Sequence, residues 1–224
     1  MHVPDGFLSA PVSVATGVVA LAAVGVALRG ARRELDDKTV PLAGLVAAFI
    51  FAAQMIEFPL GVGTSGHLIG GALAAVLIGP WTAVLCLAVV LIVQSLLFAD
   101  GGLTALGSNI TVIALVTPLA GWLVFRLVSA LLPRRRVTLA PAAALGALVS
   151  LPLAAGVLTG LYALGGTTGV PLTTVAWGLI GWQTLIGVGE AVITFLALSG
   201  ILAVRPDLVY GARPTPAADG PARR

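Results

Sequence analysis

Charged residues are scarce in this chain: they make up 9% of its 224 residues, whereas 58% are hydrophobic. A soluble domain carries roughly 25% charged residues, so this sequence has too few to cover a water-facing surface. The composition therefore predicts an integral membrane protein. At about 20 residues for each spanning helix, the chain has room for about seven helices. The basic residues are spread over short loops and a tail rather than one face, so nucleic acid is not an expected partner.

Cysteine and the common catalytic motifs are missing or nearly so. The one cysteine, Cys86, excludes an intrachain disulfide, and its apolar surroundings indicate a small core residue. The sequence has neither the Gly-x-x-x-x-Gly-Lys-Ser/Thr phosphate loop of an ATPase nor the His-Glu-x-x-His motif of a metalloprotease. An intramembrane serine protease would need a Ser/His pair within the membrane, but both histidines are predicted at its outer end. We therefore expect no enzymatic activity and no ATP hydrolysis by this chain.

Hydrophobic stretches separated by polar or glycine-rich turns predict an all-α polytopic membrane protein with seven transmembrane helices. Turn and charge signals place the spans at about 11–28, 40–58, 67–78, 81–98, 105–132, 138–164 and 173–204. Residues 1–204 are expected to form a single domain. Residues 205–224, with their Pro, Ala, Gly and Arg, are predicted to be a disordered cytoplasmic tail.

The placement of Lys and Arg predicts the orientation, because cytoplasmic loops of membrane proteins carry an excess of these residues. With seven spans and the N-terminus outside, all 12 basic residues fall at or near the cytoplasmic side. An even number of spans would scatter them over both faces. The opposite face carries acidic charges only, at Asp5, Glu57 and Asp100.

The only two histidines, His2 and His67, fall on the same predicted outer face. Because the first basic residue is Arg29, no cleavable signal peptide is expected. His2 is a large second residue, which disfavours removal of Met1, so Met1 is expected to remain with a free amine. That amine, the amide nitrogen of His2 and its imidazole can close fused chelate rings on one metal ion, and His67 can complete a square. Planar nitrogen sites suit Ni(II) or Cu(II), Co(II) fits a deprotonated amide less readily, and zinc prefers a tetrahedron. The alternative is that both histidines are interfacial polar groups.

Other polar residues are candidates for supporting this site. Thr64, Ser65 and Asn109 are predicted to hydrogen-bond the site loop or to orient a histidine. Glu190, near the middle of the last span, is a partner of the site or a carboxylate on the ion path. The alternative for Glu190 is a protonated carboxyl that is hydrogen-bonded between helices.

Four segments resemble a known family: MHVPDGFLS, GTSGHLIGGALAAVLIGPW, LLFADGGLTALGSNI and LIGVGEAVIT. Over roughly residues 1–204 the chain resembles the substrate-binding S component of cobalt/nickel energy-coupling factor transporters, a group of ABC-type importers. The resemblance implies a seven-helix bundle with an outside N-terminus. It also implies metal binding by the amine of Met1, the backbone nitrogen and imidazole of His2, and His67. The chain departs from the family pattern at Glu57, where Asn is expected, and at Gln183, where His is expected.

The resemblance implies the partners as well. These are a transmembrane T component, two cytoplasmic ATPase subunits and often a small accessory membrane subunit, in the lipid of a prokaryotic cell membrane. No prosthetic group is expected, since Ni²⁺ or Co²⁺ is the transported ligand. The alternative function is a stand-alone, proton-coupled secondary carrier of metal ions that uses Glu190 as its proton site. Dependence of uptake on an ATPase separates the two.

Overall fold

The structure, a computed structural model, describes residues 1–132 and 136–213. It contains seven helical segments, which fits the predicted count. They are α1 (Ala10–Ala31), α2 (Thr39–Gln54), α3 (Gly71–Ile78), α4 (Pro80–Leu97), α5 (Leu106–Leu131), α6 (Arg136–Gly165) and α7 (Leu172–Val204). Helix α5 includes a π-helical stretch at Ile110–Val116. Two short strands, β1 (Phe58–Pro59) and β2 (Ser65–Gly66), form an antiparallel pair in the loop between α2 and α3.

Five of these helices are long and apolar enough to cross a membrane: α1, α4, α5, α6 and α7. Helix α2 has 16 residues, and α3 has only eight. At 1.5 Å per residue, α3 is about 12 Å long, well short of a hydrocarbon core of about 30 Å. The third span was predicted to begin at residue 67, but its helix begins four residues later. Gly70 adopts φ 75°, a left-handed conformation that a helix interior cannot contain and that glycine adopts freely.

Helix α3 lies at the centre of the bundle, and all eight of its residues are buried. It packs against α4, α5 and α6, while α6 and α7 form a long antiparallel pair. By contrast, α1 and α7 present large apolar side chains outward, such as Leu21 and Trp177. Outward apolar faces are what a lipid environment requires. The short segment ahead of α3 lies inside the bundle, where the surrounding helices shield it from lipid.

The end of the bundle opposite Met1 is closed by the C-terminal segment. Residues 205–213 do not extend away from the bundle: Val209 is fully buried, and the ring of Tyr210 lies 5.6 Å from that of Trp122. Arg213 also pairs with Asp36 in the loop between α1 and α2 at 2.9 Å. Apolar burial is the main anchor, because exposed ion pairs contribute about 0–1 kcal/mol each. The first part of the predicted tail is therefore packed, and the remainder, 214–224, lies outside the described residues.

Candidate metal site

The first residues of the chain are held in place by hydrogen bonds to the start of α5 and the loop before it. Asn109 accepts from the N–H of Val3 at 2.8 Å and donates to its carbonyl at 3.1 Å, forming a two-way clamp. The N–H of Gly102 donates to the same carbonyl at 2.9 Å. The carboxylate of Asp5 accepts from the N–H of Thr104 at 2.7 Å. These contacts fix the backbone on the C-terminal side of His2, so the first two residues have a defined position.

The residues after Asp5 run along the loop between α6 and α7. The carbonyl of Phe7 accepts from the N–H of Thr167 at 3.2 Å, and the N–H of Ser9 donates to Gly165 at 2.7 Å. The Phe7 ring is 1% exposed and lies 5.1 Å from the ring of Tyr162. Burying an aromatic side chain of this size stabilises the docked segment by roughly 2–3 kcal/mol. The N-terminus is thus part of the folded bundle rather than a free end.

The structure brings the three predicted ligand residues, Met1, His2 and His67, together. The imidazoles of His2 and His67 stack with their ring centroids 4.4 Å apart. The two residues are 3% and 1% exposed, and Met1 is fully buried. The terminal amine is close enough to act electrostatically on both imidazoles. Two side chains that are 65 positions apart in sequence therefore share one enclosed space with the chain terminus.

One nitrogen of His67 is available to a ligand. Its Nδ1 lies 2.9 Å from the carbonyl oxygen of Leu68. A carbonyl only accepts, so we assign the proton to Nδ1, which leaves the lone pair on Nε2. That Nε2 is buried and has no hydrogen-bond partner among the described residues. The backbone thus fixes the tautomer that a metal ion needs.

The extended segment 67–70 is held by side chains from two helices. Glu190 of α7 accepts from the N–H groups of Ile69 and Gly70, the latter at 2.9 Å. Gln54, at the end of α2, donates to the carbonyl of Ile69 at 3.1 Å. Non-helical backbone inside a membrane protein must have its polar groups satisfied by protein, because no water is available there. The two side chains replace the missing helical hydrogen bonds and thereby position His67.

An acidic group lies directly beside His2. Its Nδ1 is 2.6 Å from Oδ1 of Asp100, although the angle does not suit a hydrogen bond. Asp100 follows Ala99, which has φ 54° and is the only non-glycine residue with positive φ in the part of the chain that the structure describes. Such strained turns occur where the surrounding structure enforces them. Oxygen atoms of Asp100 and Glu57 and a ring nitrogen of His2 lie within 4.8 Å of one another.

Burial keeps the site's nitrogens neutral. Desolvation lowers the pKa of the Met1 amine from 8.0 to about 4, against the opposing attraction of Asp100 and Glu57. Desolvation likewise lowers the pKa of His2, with the contact to Asp100 acting in the opposite direction. Nitrogen donors bind metal in their deprotonated form, so neither group carries a competing proton at neutral pH.

The remaining predicted residues lie in different places. Thr64 and Ser65 lie in the loop that leads to His67, and their buried hydroxyls have no hydrogen-bond partner among residues 1–132 and 136–213. Asn109 binds the backbone of Val3, so it positions the N-terminus rather than a histidine side chain. Glu190 binds the backbone of the His67 segment. Gln183 is fully buried, and its amide group has no partner within the described ranges.

Sequence reasoning did not assign a role at the site to three residues: Glu57, Asp100 and Gln54. Asp100 was recognised only as an acidic charge on the outer face, and Glu57 as an acidic charge there and as a departure from the family pattern. The sequence feature that could have indicated a role at the site is their position, because both fall in polar turns on the face that carries the histidines. Gln54 could have been found as a polar residue at the end of an apolar span.

A family model described as the cobalt uptake substrate-specific transmembrane region, CbiM, matches residues 2–208. This chain belongs to that family. A member from Sorangium cellulosum, the cobalt transport protein CbiM, is 34% identical over 217 residues, which cover 93% of this chain and 94% of that protein. The fused nickel transport protein NikMN of Rhodobacter capsulatus is 34% identical over 230 residues, which cover 97% of this chain and 66% of that longer protein.

A solved structure resembles the fold as a whole. The crystal structure of a truncated transition metal transporter has a TM-score of 0.80 and 33% sequence identity, and the match covers 91% of this chain and 99% of that one. Membership of the CbiM family makes this chain a multi-pass membrane protein of metal-ion uptake, in a family whose named relatives are prokaryotic. It agrees with the expectation that the chain is not an enzyme.

Proposed function

We propose that this chain captures Ni²⁺ or Co²⁺ through four nitrogens: the Met1 amine, the amide and imidazole nitrogens of His2, and Nε2 of His67. The observation that carries the proposal is the enclosed contact between the two imidazoles beside the buried terminus. An amine, an amide and an imidazole from consecutive residues close two fused rings on one ion. Four nitrogens in a plane favour Ni²⁺ over zinc, which prefers a tetrahedron.

The donor set of the site supports selective capture. Four nitrogen donors suit transition-metal ions, so ions that prefer oxygen ligands, such as Mg²⁺, are disfavoured. The relatives named above are nickel and cobalt transport proteins, respectively. Both ions are therefore candidates, and Ni²⁺ fits the planar nitrogen set better.

We further propose that the site faces the outside and that the C-terminal end lies in the cytoplasm. The loop between α1 and α2 carries Arg32, Arg33 and Lys38 at the end of the bundle away from Met1, as cytoplasmic loops do. Energy would come from partners: a T component, two ATPase subunits and a small accessory membrane subunit. The alternative of a lone carrier that uses Glu190 is less favoured, because one oxygen of that carboxylate already accepts from two backbone N–H groups.

The decisive experiment titrates purified protein that begins at Met1 with Ni²⁺ and Co²⁺. A variant with three residues added ahead of Met1 is measured beside it, and a variant with three residues added after Arg224 is the matched control. A single added residue is avoided because it would make histidine the third residue, where the amine, two amides and the imidazole bind Ni²⁺ without His67. The native and C-terminally extended forms are expected to bind one ion each, and the N-terminally extended form none tightly. His2→Ala and His67→Ala are expected to lose tight binding while remaining folded. Equal binding by both extended forms would show that the amine is not a ligand.

A further inference from the structure

A second group of metal-binding side chains lies at the solvent side of the histidines. We call the set Glu57, Asp100 and His2 the mouth cluster; one oxygen or nitrogen from each lies within 4.8 Å of the others. Ligand bonds of about 2.1 Å place two atoms on one ion at most about 4.2 Å apart. The three atoms therefore need to close by only about half an ångström, or to be joined through a water molecule on the ion.

The inner members of the cluster have free binding capacity. His2 is 3% exposed; its Nδ1 contacts Oδ1 of Asp100 at 2.6 Å, and its Nε2 has no hydrogen-bond partner among the described residues. The second oxygen of Asp100, Oδ2, is also buried and without a partner within residues 1–132 and 136–213. Leaving such groups buried and unpaired is unfavourable. A cation that contacts them would remove this cost.

The cluster is reached from solvent through an open cavity. The cavity has a volume of about 600 Å³ and is lined by the mouth cluster, Pro59, Gly61 and Phe98, among others. Along it, Glu57 is exposed, the side chain of Asp100 is 10% exposed and that of His2 is 3% exposed. The three groups thus form a series from solvent to the buried chelate, with negative charge at the outer positions.

We propose that Glu57 and Asp100, together with the His2 imidazole, form a first binding site for a hydrated divalent cation, ahead of the four-nitrogen site. This proposal rests on the function proposed above. Carboxylate oxygens bind a cation that still carries water, and they need no loss of an amide proton. The ion then keeps its bond to the His2 imidazole and moves inward: its bonds to Glu57 and Asp100 break as bonds to the amide nitrogen of His2, the Met1 amine and Nε2 of His67 form. The amide proton of His2 leaves to solvent. The separation of 2.6 Å between Asp100 and Nδ1 makes this a transfer between neighbouring atoms.

The test is the rate at which Ni²⁺ associates with protein that begins at Met1, followed by stopped-flow absorbance. Glu57→Gln removes an exposed charge at the mouth, and Asp37→Asn is the matched control because it removes an exposed charge at the other end of the bundle. Glu57→Gln is expected to slow association about fivefold at low ionic strength, and added salt is expected to shrink the difference. The absorption spectrum of the final complex should remain that of the parent. Asp37→Asn should associate at the parental rate.

A second measurement isolates the mouth cluster. In the variant with three residues added ahead of Met1, Co²⁺ should still bind weakly, and both Glu57→Gln and Asp100→Asn should remove that weak binding. Parental association in Glu57→Gln would overturn the proposal, and so would a changed final spectrum, because Glu57 would then be a ligand of the tight complex. Failure of the native protein to bind Ni²⁺ tightly would overturn the proposed function itself. Tight binding with an unaltered rate in Glu57→Gln would overturn only the mouth cluster.

Discussion

Replacing Asn109 with Ala should weaken metal binding although Asn109 touches neither histidine side chain. The substitution removes both hydrogen bonds of the clamp on Val3, and Asn109 is only 1% exposed. Two buried hydrogen bonds contribute about 1 kcal/mol each, and the unpaired N–H of Val3 adds about 1 kcal/mol or more. The Val3 carbonyl keeps its bond from Gly102 and adds no penalty. The docked N-terminus therefore loses about 3 kcal/mol.

This loss of docking free energy sets the upper limit on the decrease in metal affinity. Apparent affinity is proportional to the fraction of molecules whose N-terminus is docked, so a loss of about 3 kcal/mol corresponds to a decrease of at most about 150-fold. Competition titration with a chromophoric nickel chelator measures the change, and labelling of the Met1 amine by an amine-selective reagent should rise in parallel. Thr111→Val is the matched control, because Thr111 lies on the same helix and donates to Thr16 instead. Unchanged affinity and labelling in Asn109→Ala would refute the clamp.

Two further predictions concern the His67 segment and pH. Glu190→Leu leaves the N–H groups of Ile69 and Gly70 unpaired at about 1–3 kcal/mol each, so nickel affinity should fall at least about tenfold. Glu190→Gln keeps an acceptor oxygen and should retain most of the nickel affinity. Equal losses in the same titration would indicate that the charge matters instead. The pKa of the Met1 amine is about 4 when folded and 8.0 when exposed, so the unfolded state binds more protons between these values. The metal-free protein should therefore lose stability as pH falls from 8 towards 4, by up to about 1.4 kcal/mol per unit, in thermal unfolding. A form acetylated at Met1 should lack this component, and parallel slopes for the two forms would contradict the assignment.

Hydrophobic runs allowed the helices to be placed from the sequence to within a few residues, except at two bounds. Helix α2 ends at Gln54 rather than at 58, and α3 begins at Gly71 rather than at 67. Leu68 and Ile69 are as apolar as a helix interior, so the pattern did not distinguish an extended segment from a helix there. Helix α3 begins only after Gly70, which adopts a left-handed conformation, and the segment before it is held by Gln54 and Glu190. Those supports come from positions before and long after the segment. No local pattern contains that information.

The candidate ligands could be found because histidine is rare in this chain, and a histidine at position 2 can chelate a metal ion together with the terminal amine. The surroundings of the ligands could not be found in this way. Asp100 is beside His2 only because the strained turn at Ala99 and the clamp at Asn109 bring two distant segments together. Such proximity follows from tertiary packing, whereas composition and spacing describe only what is near in sequence.

The long-range pairing of the N-terminus also determines when the site can form during synthesis. Val3 binds Asn109, which is 106 residues later, and Phe7 accepts from Thr167, which follows after most of the chain has been made. Loops of this length close only after their distant partners exist. The first residues to leave the ribosome are therefore among the last to reach their final position. A nascent chain truncated before Asn109 has both histidines but no clamp, so metal capture becomes a property of the completed bundle.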